Sequence, residues 1–348
     1  LNLSLIAAAL WFAPGFDEPV VALALGVLVA GFAQLLFQLP ALVGIGLMPR
    51  PRWAPRHEGV RRIMVLMVPA LFGVSVSQIN LLLDTVLASL LPTGSVSWLY
   101  YSDRLTELPL GVFAIAIATV ILPTLSGQRA RADDPAFAST LSWAIRSVLL
   151  IAIPATAALA ILAEPLLATL FQYGAFSGDD RAMAAASLRA YTLGLGAFML
   201  VKVLAPGFYA REDMRTPVRI GIIAMVANMV LNIAFVFPLM WWLNLGHVGL
   251  ALATSVSAWL NALLLFRGLR RDAVLTDGSL PLKWLAQLGV ATAAMVSVLL
   301  WLMPDHSMWA GWLWWQRALQ LGILCGAGLG AFGVSLLCCG VRLADLRR

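Results

Sequence analysis

VVALALGVLVAGFAQLLFQLPALVGIGLM, residues Val20 to Met48, decides the fold. These 29 residues carry no charge, and their apolar side chains fall on every face rather than along one stripe. At about 1.5 Å of rise per residue such a helix crosses a hydrocarbon core of about 30 Å with residues to spare. Similar runs follow outward along the chain at Ile63 to Leu91, Val96 to Leu125, Phe137 to Ala163, Ala182 to Ala210 and Pro217 to Met240. Val248 to Phe266, Leu282 to Met303 and Trp312 to Cys339 continue the series. A shorter apolar run, Leu1 to Phe12, opens the chain. It has no initiating Met, no basic n-region and no small-residue cleavage site, so it reads as a helix entered partway and not as a signal peptide.

Composition agrees. The 348 residues are 61% hydrophobic and 11% charged, against about 25% charged in an ordinary soluble domain. Mean hydropathy is +0.90. The expected fold class is an all-α polytopic membrane protein of about ten transmembrane helices. The net charge of +6 does not point to nucleic acid, because the basic residues stand in short clusters between apolar runs and form no polar stripe. Cys325, Cys338 and Cys339 share the last segment without a CxxC pair, so neither a disulfide framework nor a zinc site is expected, and no metal ligand set is certain.

The basic clusters report topology instead, since Lys and Arg are retained on the cytoplasmic side. Alternate connections hold Arg50, Arg52, Arg56, Arg61 and Arg62; Arg129 and Arg131; Arg211, Arg215 and Arg219; Arg267, Arg270, Arg271 and Lys283; and Arg342, Arg347 and Arg348. The intervening connections hold none, so the C-terminus is expected in the cytoplasm. Trp98, Tyr100, Tyr101, Trp241, Trp242, Trp309, Trp312, Trp314 and Trp315 cluster near outer ends, which suits an interfacial aromatic belt. Lys202, Arg181, Glu164 and Arg317 lie near segment ends and read as snorkelling side chains, while Arg146 and Arg189 lie deeper.

Two groups of polar residues fall where lipid makes them expensive. Asp103, Arg104 and Glu107 stand on two turns of one helix about 13 Å below its outer end. At spacings of three and four, the acids can orient the guanidinium toward a polar cavity, where its planar fork suits phosphate oxygens. A structural ion pair to a neighbouring helix is the other reading. Pro109 follows and removes a backbone hydrogen bond, which predicts a kink beside the cluster. Asp84 lies about 10 Å deep without a local basic residue. Asn228 and Asn232 share a face at similar depth, with Thr254 on the next segment. Together they form an oxygen-ligand set that a coupling cation or proton could use, or an interhelical hydrogen-bond network.

The stretch SVSWLYYSDRLTELPLGV (Ser95 to Val112), closing with ILPTLS (Ile121 to Ser126), resembles the MurJ (MviN) family of lipid II flippases. So do QINLLLD ending at Asp84, LFQYG ending at Gly174 and VKVLAPGFY ending at Tyr209, in that family's order. The resemblance runs from end to end. It implies a two-lobed alternating-access transporter of fourteen helices within the multidrug/oligosaccharidyl-lipid/polysaccharide exporter superfamily. This chain looks like the last ten of these, with the N-terminal helices missing. By that match, residues 1–48 end the N-terminal lobe and 49–62 form a basic cytoplasmic linker. Residues 63–271 form the C-terminal lobe, and 282–340 the family's extra helix pair, associated with a groove for the prenyl tail.

Arg104 and Glu107, with Asp103 beside them, match the family's functional arginine and acid, and Asp84 matches the acid of its seventh helix. Some members bind sodium through a carboxylate at the position of Asn232, and the amide here departs from that pattern. The family's other cavity arginines lie on helices this chain lacks. The implied function is movement of lipid II, an undecaprenyl-pyrophosphate-linked disaccharide-peptide, across the inner membrane for cell-wall synthesis. Its partners are lipid II and membrane lipids, with no catalysis, no cofactor and Na+ or H+ as the coupling cation. A drug/cation antiporter or an O-antigen-type flippase of the same superfamily is the alternative. A membrane-embedded glycosyltransferase would need sizeable outer loops carrying acids, and these loops are short.

Overall fold

A computed structural model describes residues 1–46, 57–272, 274–275 and 281–341. The described chain forms two compact units, Leu1–Val68 and Pro69–Arg348. Most of the expected linker, 49–62, lies outside the described residues, as does the end of the chain.

In the first unit, α1 (Asn2–Ala7) continues through a π turn (Ala8–Phe12) and a 3-10 turn (Ala13–Gly15) before α2 (Pro19–Gly44). Ala22, Gly26 and Ala30, four apart, are the buried residues of α2. A Cβ on Gly26 would come within 2.7 Å of the Ala8 methyl, so the helices meet at the close approach that small residues permit. Helix α3 (Glu58–Ser89) carries the chain into the second unit.

There follow α4 (Ser95–Pro109), a π turn (Leu110–Ala114) and α5 (Ile115–Ala130), then α6 (Asp134–Ile161), α7 (Ala163–Leu170), α8 (Gly178–Tyr209), α9 (Arg215–Leu243) and α10 (Gly246–Arg271). Helices α11 (Leu282–Leu302), α12 (His306–Gly311) and α13 (Trp314–Cys338) complete the described chain. Among the described residues, eight helices are long and apolar enough to cross a membrane, Ser95–Ala130 counting as one. The two other expected segments lie on the short α1 and on α3. The chain is a multi-pass membrane protein, and apolar side chains such as Phe37, Trp301 and Leu329 stand exposed because lipid is their solvent. Pro109 predicts a kink in the helix; what the structure shows at the residue after it is a widening into a π turn.

Helix α8 is the hub, packing against α4, α5, α6, α7 and α10. Its crossing with α10 is close because Gly194 has no side chain. A Cβ there would fall 2.7 Å from both Cα and Oγ of Ser255, whose hydroxyl donates to the Ala190 carbonyl at 2.8 Å. Gly194→Ala is therefore expected to cost about 1–3 kcal/mol by overpacking. A lowered unfolding temperature in detergent would show it, and an unchanged one would mean that the crossing is slack.

Helices α11 and α13 pair and pack on α6 and α7. Arg317 of α13, expected to snorkel, turns inward instead and is 7% exposed. It donates to the carbonyls of Ala168 at 2.8 Å, Gln172 at 3.3 Å and Trp312 at 3.1 Å, and lies over the Tyr173 ring. Ala168 lies in the last turn of α7, where carbonyls lack intrahelical donors, and Gln172 and Trp312 lie just outside helices, so the guanidinium supplies donors that these carbonyls would otherwise lack. Arg317→Met should cost about 2–3 kcal/mol, since hydrogen bonds to charged groups contribute about 1.5–3 kcal/mol each and the carbonyls would be stranded. Faster protease cleavage around α13, along with a lower unfolding temperature, would report this loss.

Candidate functional site

Helix α4 sorts its side chains by face. Ser102, Leu105, Thr106 and Pro109, spaced as one helical stripe, are buried. The Ser102 hydroxyl donates to the Ala184 carbonyl of α8 at 2.7 Å. That packing turns Arg104 and Glu107 the other way, and they remain 51% and 48% exposed. Arg104 Nη1 meets Glu107 Oε2 at 2.6 Å, and the guanidinium stands 4.9 Å from the Tyr100 ring centroid. Arg104 is nine residues into α4, about 13 Å along its axis. A held cation at that depth needs a polar cavity, and its remaining donors suit an oxyanion.

Asp103 departs from the expectation that both acids would grip the guanidinium. None of the ion pairs among the described residues includes it. Half-buried between the α8 side and the Arg104 face, it offers its backbone carbonyl to the Thr106 hydroxyl at 2.8 Å. The outer end of α4 is anchored by Trp98, which the sequence suggested as a belt residue. Its Nε1 donates to Asp180 Oδ1 of α8 at 2.8 Å, and its ring packs on His247 of α10 at 4.9 Å. Tyr101 packs on Phe171 and Phe176, and Trp309 is 1% exposed. Trp241, Trp242, Trp314 and Trp315 do stand outward, as a belt requires.

The second group assembles from α3, α9 and α10. Asn232 Nδ2 donates to Asp84 Oδ1 at 2.7 Å, Asn80 Nδ2 to Asp84 Oδ2 at 3.3 Å, and Thr254 Oγ1 lies 3.5 Å from the same oxygen. Asn228 is fully buried. Its Oδ1 accepts from Asn232 Nδ2 at 3.1 Å, while its Nδ2 donates to Thr254 Oγ1 at 3.4 Å and Ser257 Oγ at 3.3 Å. Turned over, the Asn228 amide would place its nitrogen 3.0 Å from Asn80 Oδ1 and 3.3 Å from Asp84 Oδ1. In that orientation its oxygen would accept from the Thr254 backbone N–H at 3.2 Å. Asn232 Oδ1 is buried with no hydrogen-bond partner, and no ion pair among the described residues involves Asp84. Amide nitrogens face the Asp84 carboxylate, so the group stands as an interhelical hydrogen-bond network, and a hard cation would need the amides turned to present their oxygens. Among the described residues no three His, Cys, Asp or Glu side chains gather.

The family model described as "Lipid II flippase MurJ" matches residues 1–315. The chain belongs to the MurJ family. A relative from Vibrio cholerae named "Probable lipid II flippase MurJ" is 50% identical over 347 residues, covering 100% of this chain and 65% of its own length. One of the same name from Haemophilus influenzae is 47% identical over 348 residues, covering 98% of this chain and 67% of its own. The chain thus spans about two thirds of the length of these relatives. A solved structure titled "Lipid II flippase MurJ, inward closed conformation" superposes with TM-score 0.73 at 23% identity, over 96% of this chain and 64% of that one, which places the fold with it.

Within this MurJ-family chain, all four residues proposed for coupling, Asp84, Asn228, Asn232 and Thr254, meet in one network. Sequence reasoning missed Asn80 and Ser257. Asn80 stands one turn before Asp84 on the same face, and Ser257 three residues after Thr254, so helical spacing from the named residues was the available signal.

Proposed function

We propose that the protein moves lipid II from the cytoplasmic to the outer leaflet of the inner membrane by alternating access, making and breaking no covalent bond. One observation carries this reading: α4 holds Arg104, oriented by Glu107, at membrane depth on the face turned away from α8. A pyrophosphate joins the prenyl chain of lipid II to its sugar, and a fixed guanidinium is a fitting partner for its oxygens. The names of the relatives agree with that substrate. The alternation of basic connections supports a cytoplasmic C-terminus. On this reading residues 1–48 belong to the first lobe, 63–271 to the second, and 282–340 are the extra helix pair. Asp84 with Asn80, Asn228, Asn232 and Thr254 holds a coupling cation, which would satisfy the unpartnered Asn232 Oδ1.

The test is reconstitution of the full-length parent in proteoliposomes with fluorescent lipid II on one leaflet. Appearance of lipid II on the other leaflet, dependent on an ion gradient or membrane potential, supports the reading. Exchange of a cationic drug for ions without lipid II movement would replace it with the antiporter.

A further inference from the structure

A cavity of about 540 Å3 opens on the second unit between α6, α8, α10 and α11, and no residue of α3, α4 or α9 lines it. Small side chains make the room: Ala160 on α6 and Ala186 and Ala190 on α8 leave a slot that Leu252 of α10 and Thr292 of α11 border. The slot runs along α6 from Ala160 down to Ile153, seven residues or about 10 Å. Its lining is almost wholly apolar, and its volume is in the range of pockets that take one small ligand or one hydrocarbon chain.

Besides Thr156, Thr192 and Thr292, the polar member of the lining is Arg189, and it alone is charged. Its Nε reaches the Ala160 carbonyl at 3.3 Å and its Nη2 reaches Glu164 Oε1 at 3.0 Å, which lifts the guanidinium to the end of α6, one residue from Ile161. It remains 44% exposed, and its Nη1 has no hydrogen-bond partner among the described residues. A charged donor at the level of the helix end, over an apolar slot about 10 Å long, matches a phosphate above an acyl chain. Glu164 fixes the direction of the guanidinium and leaves a donor for a ligand.

We propose that this groove binds a membrane phospholipid, with one acyl chain between α6 and α10 along α8 and its phosphate on Arg189. The leaflet is the outer one on the topology proposed above, and the site is separate from Arg104 and needs no transport to be occupied. The full-length parent is placed in nanodiscs of phosphatidylethanolamine and phosphatidylglycerol, the latter bearing a diazirine midway along one acyl chain. After irradiation, mass spectrometry of peptides should find the label concentrated on residues 153–160 and 186–193, in excess over the outward face of α9 at Val226, Val230 and Ile233. Ala186→Phe, which fills the slot, should remove that excess. Arg189→Gln should weaken retention of the lipid about tenfold, equivalent to about 1.4 kcal/mol. Labelling equal to that of α9, or excess labelling that survives Ala186→Phe, overturns the proposal, and Leu252→Trp at the border gives the same answer if Ala186→Phe does not fold. Retention unchanged by Arg189→Gln overturns the phosphate contact. Loss of the label on adding lipid II reassigns the groove to the prenyl substrate.

Discussion

Arg104→Ala in the full-length parent is expected to lower lipid II translocation about thirtyfold or more, while the protein still folds. Truncating one partner of a buried hydrogen-bonded charge pair, such as a guanidinium closed over the pyrophosphate, costs roughly 2–5 kcal/mol, and each 1.4 kcal/mol is a factor of ten. Folding survives because the packing face of α4 is the opposite one, built from Ser102, Leu105 and Thr106. Arg104→Lys keeps the charge but loses the planar fork and should recover only part of the rate. Glu107→Gln should weaken transport less than Arg104→Ala, since Glu107 orients the guanidinium at 2.6 Å without supplying its charge. Initial rates at several lipid II concentrations separate the possibilities. A rise in the half-saturating concentration places Arg104 in binding, and normal transport by both the Ala and Lys variants would make the cluster structural.

Asp84→Asn should leave lipid II binding intact and abolish the dependence of transport on the imposed ion gradient. The substitution preserves shape and most hydrogen bonds while removing the one carboxylate that Asn80, Asn232 and Thr254 surround. If one charge moves with each substrate, coupling contributes about 2.3 kcal/mol per 100 mV, so the accumulation ratio should fall about fiftyfold at that potential. Asn232→Asp has the opposite sign, because a second carboxylate beside Asp84 should strengthen Na+ binding, measurable by isothermal calorimetry in detergent. An Asp84→Asn protein that still accumulates lipid II against the potential would return the network to packing.

The chain's own residues settled the spans, because an uncharged run of 20 to 30 residues has only one solvent available to it and needs no knowledge of its neighbours. They also placed Asp103, Arg104 and Glu107 together on one helix, but whether the group faces a cavity or a neighbouring helix is decided by the packing of α4 through Ser102, Leu105 and Thr106. Only the tertiary structure decided which polar groups meet. Asp84 and Asn232 are 148 residues apart, and nothing local says that α3 and α9 bring them to 2.7 Å. Arg317 shows the converse. Its position near a helix end suits snorkelling, yet the carbonyls of Ala168 in the last turn of α7 and of Gln172 just beyond it are within reach, so it turns inward. Trp98 likewise left the expected belt to bond Asp180 of α8, and Trp309 is buried in one cluster with Met295 and Leu299 of α11 and Leu324 of α13. Whether a helix is apolar is a local property of its sequence, whereas what a buried polar side chain bonds to depends on the helix packed against it.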